Sequence, residues 1–214
     1  MIELSKESIR DPGPPAKSLP EARALAKDCR RCPLWKIGTQ TVFGEGPTSA
    51  TVMFVGEQPG DQEDLAGKPF VGPAGKVLDR ALEEAGITRR ETYVTNAVKH
   101  FKHVPRGKRR LHKKPDAGEI ERCRWWLELE LGFVRPRVVV ALGASAAKAL
   151  FRRSVTIGRE RGKWLPFAEG IAGFVTVHPS FILRQRDAKD RESTYQGLVQ
   201  DLRLIARRIH QQAA

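Results

Sequence analysis

A three-layer α/β/α fold around a central, mostly parallel four-stranded sheet is the architecture these 214 residues predict. Three observations carry the prediction. Four short runs read as strands: residues 51–55 (TVMFV), 92–98 (TYVTNAV), 135–143 (RPRVVVALG) and 173–180 (GFVTVHPS). Segments with helical spacing lie between them, and strands alternating with helices imply a parallel sheet covered on both faces. All four runs end in glycine-rich or polar segments, GEQPG, TNAVKH, LGAS and HPS, and the ligand crevice of such sheets lies beyond the carboxyl ends of the strands.

The elements follow in order. Residues 1–17 hold several prolines without apolar periodicity and read as a tail or surface strap ahead of a single domain over 18–214. Ser18 can cap a helix, with Glu21 three residues on to complete a capping box. That helix runs into the C-x-x-C pair Cys29 and Cys32. After the first strand comes the glycine-rich loop GEQPGDQEDLAGKPFVGPAG, then residues 76–86 with helical spacing and a glycine stop. The second strand leads into residues 99–115, KHFKHVPRGKRRLHKKP, with eight basic side chains and three histidines; their proline and glycine exclude one clean helix. Residues 117–134 form a helix carrying Cys123, residues 144–151 a short helix, and residues 192–211 an amphipathic C-terminal helix. There is no internal repeat.

Composition narrows the function. Forty percent apolar residues in a chain of this length suffice for one domain with a real core. Lysine and arginine outnumber acids 38 to 25, a net charge of +13, which calls for a polyanionic partner. No apolar run is long enough to span a membrane and no signal-peptide pattern opens the chain, so a cytoplasmic protein facing nucleic acid is expected, with no membrane partner. Three cysteines, two in a C-x-x-C, argue against a disulfide framework and for metal or cluster ligation; the alternative is a redox pair plus one buried core cysteine.

Neither GEQPGDQED nor GPAGK fits the nucleotide-cradling pattern G-x-x-x-x-G-K-S/T, and no G-x-G-x-x-G follows a strand. Phosphotransfer and dinucleotide chemistry therefore lose their main support. Glu57 at a strand end reads equally as a general base or cation stabiliser and as a capping or salt-bridging acid. His112, set directly after Lys108, Arg109, Arg110 and Leu111, has no purpose in a merely solvated charge run.

GEQPGDQEDLAGKPFVGPAG, YVTNAVKH, KRRLH and VHPS, in this order, resemble the uracil-DNA glycosylase superfamily, and within it the iron–sulfur family-four branch and the UdgX group. The resemblance covers roughly residues 25–205. GEQPG and the basic insertion ending in histidine are the marks of that group, whose pattern has isoleucine where this chain has Leu111. The resemblance implies that the loop after the first strand, Gly56 with Glu57 and Gln58, meets the deoxyribose and the scissile bond; Asp61 and Asp64 in the same loop could help orient water or the Glu57 loop, or serve as loop caps. It implies that Phe70 stacks on a flipped uracil, that Asn96 reads the uracil edge, and that His178 stabilises the leaving anion at O2. Ser180, Arg184, Lys108, Arg109 and Arg110 would meet phosphates. His112 would bond covalently to the abasic sugar, oriented by Glu57. Elementary chemistry agrees: an aromatic face stacks a base, an amide offers donor and acceptor to an imide edge, and a carboxylate and a histidine oppose the charges that develop as the glycosidic bond breaks.

The resemblance also implies a four-iron, four-sulfur (4Fe–4S) cluster on Cys29, Cys32 and Cys123, with His100 at the position where the four-cysteine pattern has its remaining cysteine. Three cysteines and a histidine suit structural zinc too. His103 and His210 are expected at the surface, and Arg203, Arg207 and Arg208 on a solvated face. The expected partner is uracil-containing single-stranded DNA, with uracil as product, acted on by a prokaryotic monomer. A conventional hydrolytic glycosylase with turnover and a non-catalytic single-strand binder remain the alternatives.

Overall fold

The computed structural model describes residues 13–211. Most of the expected tail, residues 1–12, lies outside them. Of the rest of that segment, Pro14 O accepts a 3.2 Å hydrogen bond from Trp125 Nε1.

A five-stranded sheet forms the middle layer. In chain order its strands are β1 (Val52–Gly56), β2 (Thr92–Asn96), β5 (Val138–Leu142), β6 (Trp164–Ala168) and β7 (Ile171–Thr176). Their spatial order is β2-β1-β5-β7-β6, parallel except for β6, which runs antiparallel to β7 at the edge. The fold class is as expected, with one strand more than the four predicted. β6 escapes a periodicity reading because it is a half-buried edge strand with Pro166 inside it, and the register shifts between Pro166 and Ala168. Proline is tolerated there because the edge has no neighbour to receive its missing N–H.

The four parallel strands are almost fully buried, and their alternation sorts side chains to the two faces. Met53, Val55, Val139, Ala141 and Val175 pack towards α1 (Leu19–Ala26), α4 (Ala117–Val134) and α5 (Ala144–Phe151). Val52, Phe54, Val138, Val140 and Phe174 pack towards α3 (Pro73–Glu84), α7 (Pro179–Leu183) and α8 (Ala188–Gln211). Two short helices, α2 (Asp61–Ala66) and α6 (Ile157–Glu160), complete the helical layers.

The helix boundaries have local causes. Ser18 Oγ caps α1 by accepting from Glu21 N at 3.3 Å, but Glu21 Oε2 accepts from Lys17 N at 2.7 Å rather than from the cap residue, so the expected box closes one residue early. α3 begins three residues before its periodicity shows, because Pro73 occupies its first turn, where a missing N–H costs nothing. Asp187 Oδ1 accepts from Lys189 N and Asp190 N, adding a turn to the front of α8.

Inside the basic stretch a separate antiparallel hairpin forms, β3 (His103–Arg106) and β4 (Arg109–His112), turned at Gly107 with φ 58°. Its register sets His103 opposite His112.

Candidate active site

The carboxyl ends of β1, β2, β5 and β7 open into one cleft of about 900 Å³. It brings together Glu57, Phe70, Asn96, His112, His178 and Ser180, with Gln58 and Arg184 also in its wall.

Gly56 makes room for this arrangement. A Cβ there would stand 2.3 Å from Asn96 Oδ1 and 2.8 Å from Phe70 Cζ, so only glycine lets the amide and the ring share the floor. Phe70 holds a left-handed φ of 57°, a conformation that an aromatic residue adopts only when its surroundings impose it. Its ring lies 6.1 Å from that of His178, tilted by 31°. Glu63 supplies part of the constraint: its carboxylate accepts from Gly60 N at 3.0 Å and Gly72 N at 2.7 Å, cinching the glycine-rich loop around α2. The sequence reading passed over Glu63, although its place three residues after Gly60 is the glutamate position of a capping pattern.

His178 caps α7, and its Nδ1 accepts from Ser180 N at 3.1 Å and lies 2.8 Å from Ser180 Oγ. Burial lowers this histidine to about 4, against the pull of the Glu57 charge, so the ring is neutral near pH 7. Arg184 Nη1 donates to Ser180 Oγ at 2.9 Å, fixing a cation at the rim.

Glu57 Oε1 stands 3.1 Å from His112 Nε2. Burial works to raise the Glu57 carboxyl, but hydrogen bonds from His112 and Ser145 outweigh it and hold the group below its usual range. The pair joins an ionised acid one-fifth exposed to a histidine one-half exposed at the cleft mouth.

The hairpin bearing His112 is tied down at both ends. Gln58 Oε1 accepts from Lys102 N at 3.0 Å, while its Nε2 donates to Lys113 O at 3.0 Å and Lys102 O at 3.3 Å. The amide expected at the scissile bond is thus spent on the hairpin root. Arg110, expected at a phosphate, turns inward: its Nε donates to Asp61 Oδ1 and its Nη1 to Asp64 Oδ2, each at 2.6 Å, and its plane lies over Phe101. Asp61 and Asp64 accordingly anchor the hairpin through Arg110. Lys108 and Arg109 stay exposed at the tip. His103 is not the surface histidine expected: its Nε2 contacts Ile37 O at 3.1 Å, its ring lies 5.0 Å from Phe101, and its Nδ1 is buried without a partner. His210 is exposed, as expected.

On the far side of β2 the three cysteines are buried and free. Trp126 Nε1 donates to Cys29 Sγ and Lys99 N to Cys123 Sγ, both at 3.1 Å. Trp126 is thus both core residue and cysteine neighbour, while Trp125 donates to Pro14 O. Burial pushes the Cys123 thiol up to about 12 and raises Cys32 as well. Three shielded sulfurs, two of them receiving N–H donors, are a donor set that fits an iron–sulfur cluster. His100 is buried next to Lys99, whose N–H meets Cys123 Sγ, and its Nε2 lies 3.0 Å from Thr41 Oγ1. Among the described residues no group of three or more His, Cys, Asp or Glu side chains is placed to hold a metal ion. No helix among those residues is long and apolar enough to cross a membrane.

Residues 43–203 match the profile of the Uracil DNA glycosylase superfamily. Among curated proteins, the type-4 uracil-DNA glycosylase of Pyrobaculum aerophilum is 38% identical over 176 residues, covering 78% of this chain and 85% of its own. That of Archaeoglobus fulgidus is 40% identical over 178 residues (79% and 86%), and that of Thermotoga maritima 37% over 161 residues (75% and 80%).

Proposed function

The chain belongs to the uracil-DNA glycosylase superfamily, and from that premise we propose that it excises uracil from single-stranded DNA and is then joined to the abasic deoxyribose through His112, as in the UdgX group. The observation that carries this reading is the His112–Glu57 pair, 3.1 Å apart at the mouth of the cleft.

The target base must leave the stack to reach such a site. Phe70 offers the ring face on which it lies, and the Asn96 side chain offers a donor and an acceptor to the imide edge. The bond from uracil to C1′ breaks with its electron pair leaving on the base. The proton-bearing Nε2 of neutral His178 meets the charge that develops on the uracil oxygen, and the Glu57 carboxylate opposes the cation left on the sugar. The imidazole lone pair of His112 then forms a bond to C1′, and the ring proton passes through Glu57 to solvent. Lys108, Arg109 and Arg184 hold flanking phosphates, contacts that position without reading sequence.

Cys29, Cys32 and Cys123 would hold a 4Fe–4S cluster with His100 as the fourth ligand. His100 Nε2 lies 3.0 Å from Thr41 Oγ1, so Nδ1 would be the nitrogen free to serve as a ligand. When bound, the cluster supplies a cross-link between the segment after α1, the start of the basic stretch and α4.

The type-4 names of the relatives favour a second reading, hydrolytic release with turnover, in which water takes the place of His112. A denaturing gel separates the two. With a uracil-containing single strand, a retarded band that survives heat and detergent, is absent with thymine and is lost in His112→Ala is the expected result. Abasic product accumulating over many turnovers without that band would leave only the hydrolytic reading.

A further inference from the structure

A second hollow, of about 460 Å³, lies across the segment that carries Phe70. Gly67, Lys68 and Pro69 line this hollow, whereas Phe70 lines the main cleft, so the two share one short wall. Arg23 of α1 and Lys27 just after it form the opposite side, with Thr41 and Phe43 between. The wall is stiff: Gln40 Nε2 donates to Asp64 O at 2.9 Å and Leu65 O at 3.0 Å, and Gly67 holds a left-handed φ of 69°.

The charges in this hollow are unequal. Arg23, Lys27 and Lys68 face it against one carboxylate, Glu45. Arg23 is oriented by donating from Nη2 to Gly44 O at 2.8 Å. Lys27 and Lys68 are exposed, come from separate elements and make no ion pair among the described residues. Ammonium groups converging on a polar concavity repel one another until an anion enters between them.

We propose that this hollow is a second phosphate site, taking a backbone phosphodiester of the same single strand whose uracil occupies the main cleft. The inference rests on the functional reading above. The shared wall gives the geometric reason: a strand leaving the cleft over the Gly67–Phe70 ridge meets the hollow on the other side. Anchoring the strand on both sides of that ridge presses it onto the segment that sets the Phe70 ring.

The test is salt-dependent binding of short and long thymine oligonucleotides, by fluorescence anisotropy, to the wild-type protein and to Lys27→Ala/Lys68→Ala. The expected result is a steeper salt dependence for the long strand, whose log–log slope falls in the double variant by roughly 0.7 for each phosphate no longer neutralised. Lys27→Arg/Lys68→Arg should restore it. Coincident slopes for wild type and the double alanine variant overturn the site. So does saturable binding of inorganic phosphate that the double variant abolishes while its DNA slope is unchanged, since the hollow would then serve a free anion. Uracil release by the wild-type protein is scored separately: its absence defeats the functional reading, whereas release with coincident slopes defeats only the second site.

Discussion

Ser180 donates its backbone N–H to His178 Nδ1, so the neutral ring must keep its own proton on Nε2. That tautomer presents a donor to the cleft without a charge. Since burial lowers the ring to about 4, below the ordinary 6.5, the unfolded chain binds this proton before the folded one does. Stability from keeping the ring neutral is therefore complete above pH 6.5 and is lost progressively as pH falls towards 4. Ring-nitrogen NMR should accordingly show His178 unchanged from pH 8 to about 5.5, with protonation only near 4. A midpoint between 6 and 7 would mean that the ring is solvated and that Nε2–H is not held as a neutral donor. Residues of this kind were legible in the sequence because Glu57, Asn96 and His178 stand at strand ends, where topology alone brings them together. The true partners of Gln58 and Arg110 were not legible, since they lie 44 and 49 residues away, across contacts that no local spacing encodes.

At the scale of elements, the hairpin is the part that most needs help. Two four-residue strands, exposed along most of their length, are marginal alone. Their pattern shows no alternation to read, because charges fill both faces, and β6 was missed for the related reason that an edge strand need not be apolar. What steadies the hairpin is Gln58 at its root and Arg110 on its flank, not a core of its own. On the covalent reading proposed above, Gln58→Ala should reduce adduct more than uracil release, raising the ratio of free abasic product to adduct several-fold while the melting temperature shifts little. Arg110→Ala should move the ratio in the same direction, with some loss of stability, because Asp64 is fully buried and keeps only its Thr39 partner. A ratio identical to wild type in both variants would overturn the idea that these anchors position His112 for adduct formation.

Across the whole molecule, one buried ion pair joins the parts that the site depends on. Lys99 and Glu130 are wholly inaccessible and meet at 2.6 Å. The Lys99 ammonium also donates to Thr95 Oγ1 at 2.6 Å and to Asn96 O at 2.7 Å, while its backbone N–H points at Cys123 Sγ. Glu130 in turn accepts from Gly44 N at 2.8 Å and Tyr93 OH at 3.1 Å. The end of β2, the cysteine helix α4 and the loop beneath the second hollow are thus fastened at a single point. A buried pair of this kind adds little over an apolar replacement, but losing one partner strands a charge, at about 3–5 kcal/mol. For a chain of this length that is a fall in melting temperature on the order of 10 °C. Lys99→Met should show it in thermal unfolding, and Lys99→Met/Glu130→Gln should recover much of the loss, because no bare charge is then left in the core. If the double variant is as unstable as the single one, the stranded carboxylate is not the cause. The weight would then fall on the Lys99 contacts to Thr95 and Asn96, and the network would be holding the strand end rather than balancing a charge.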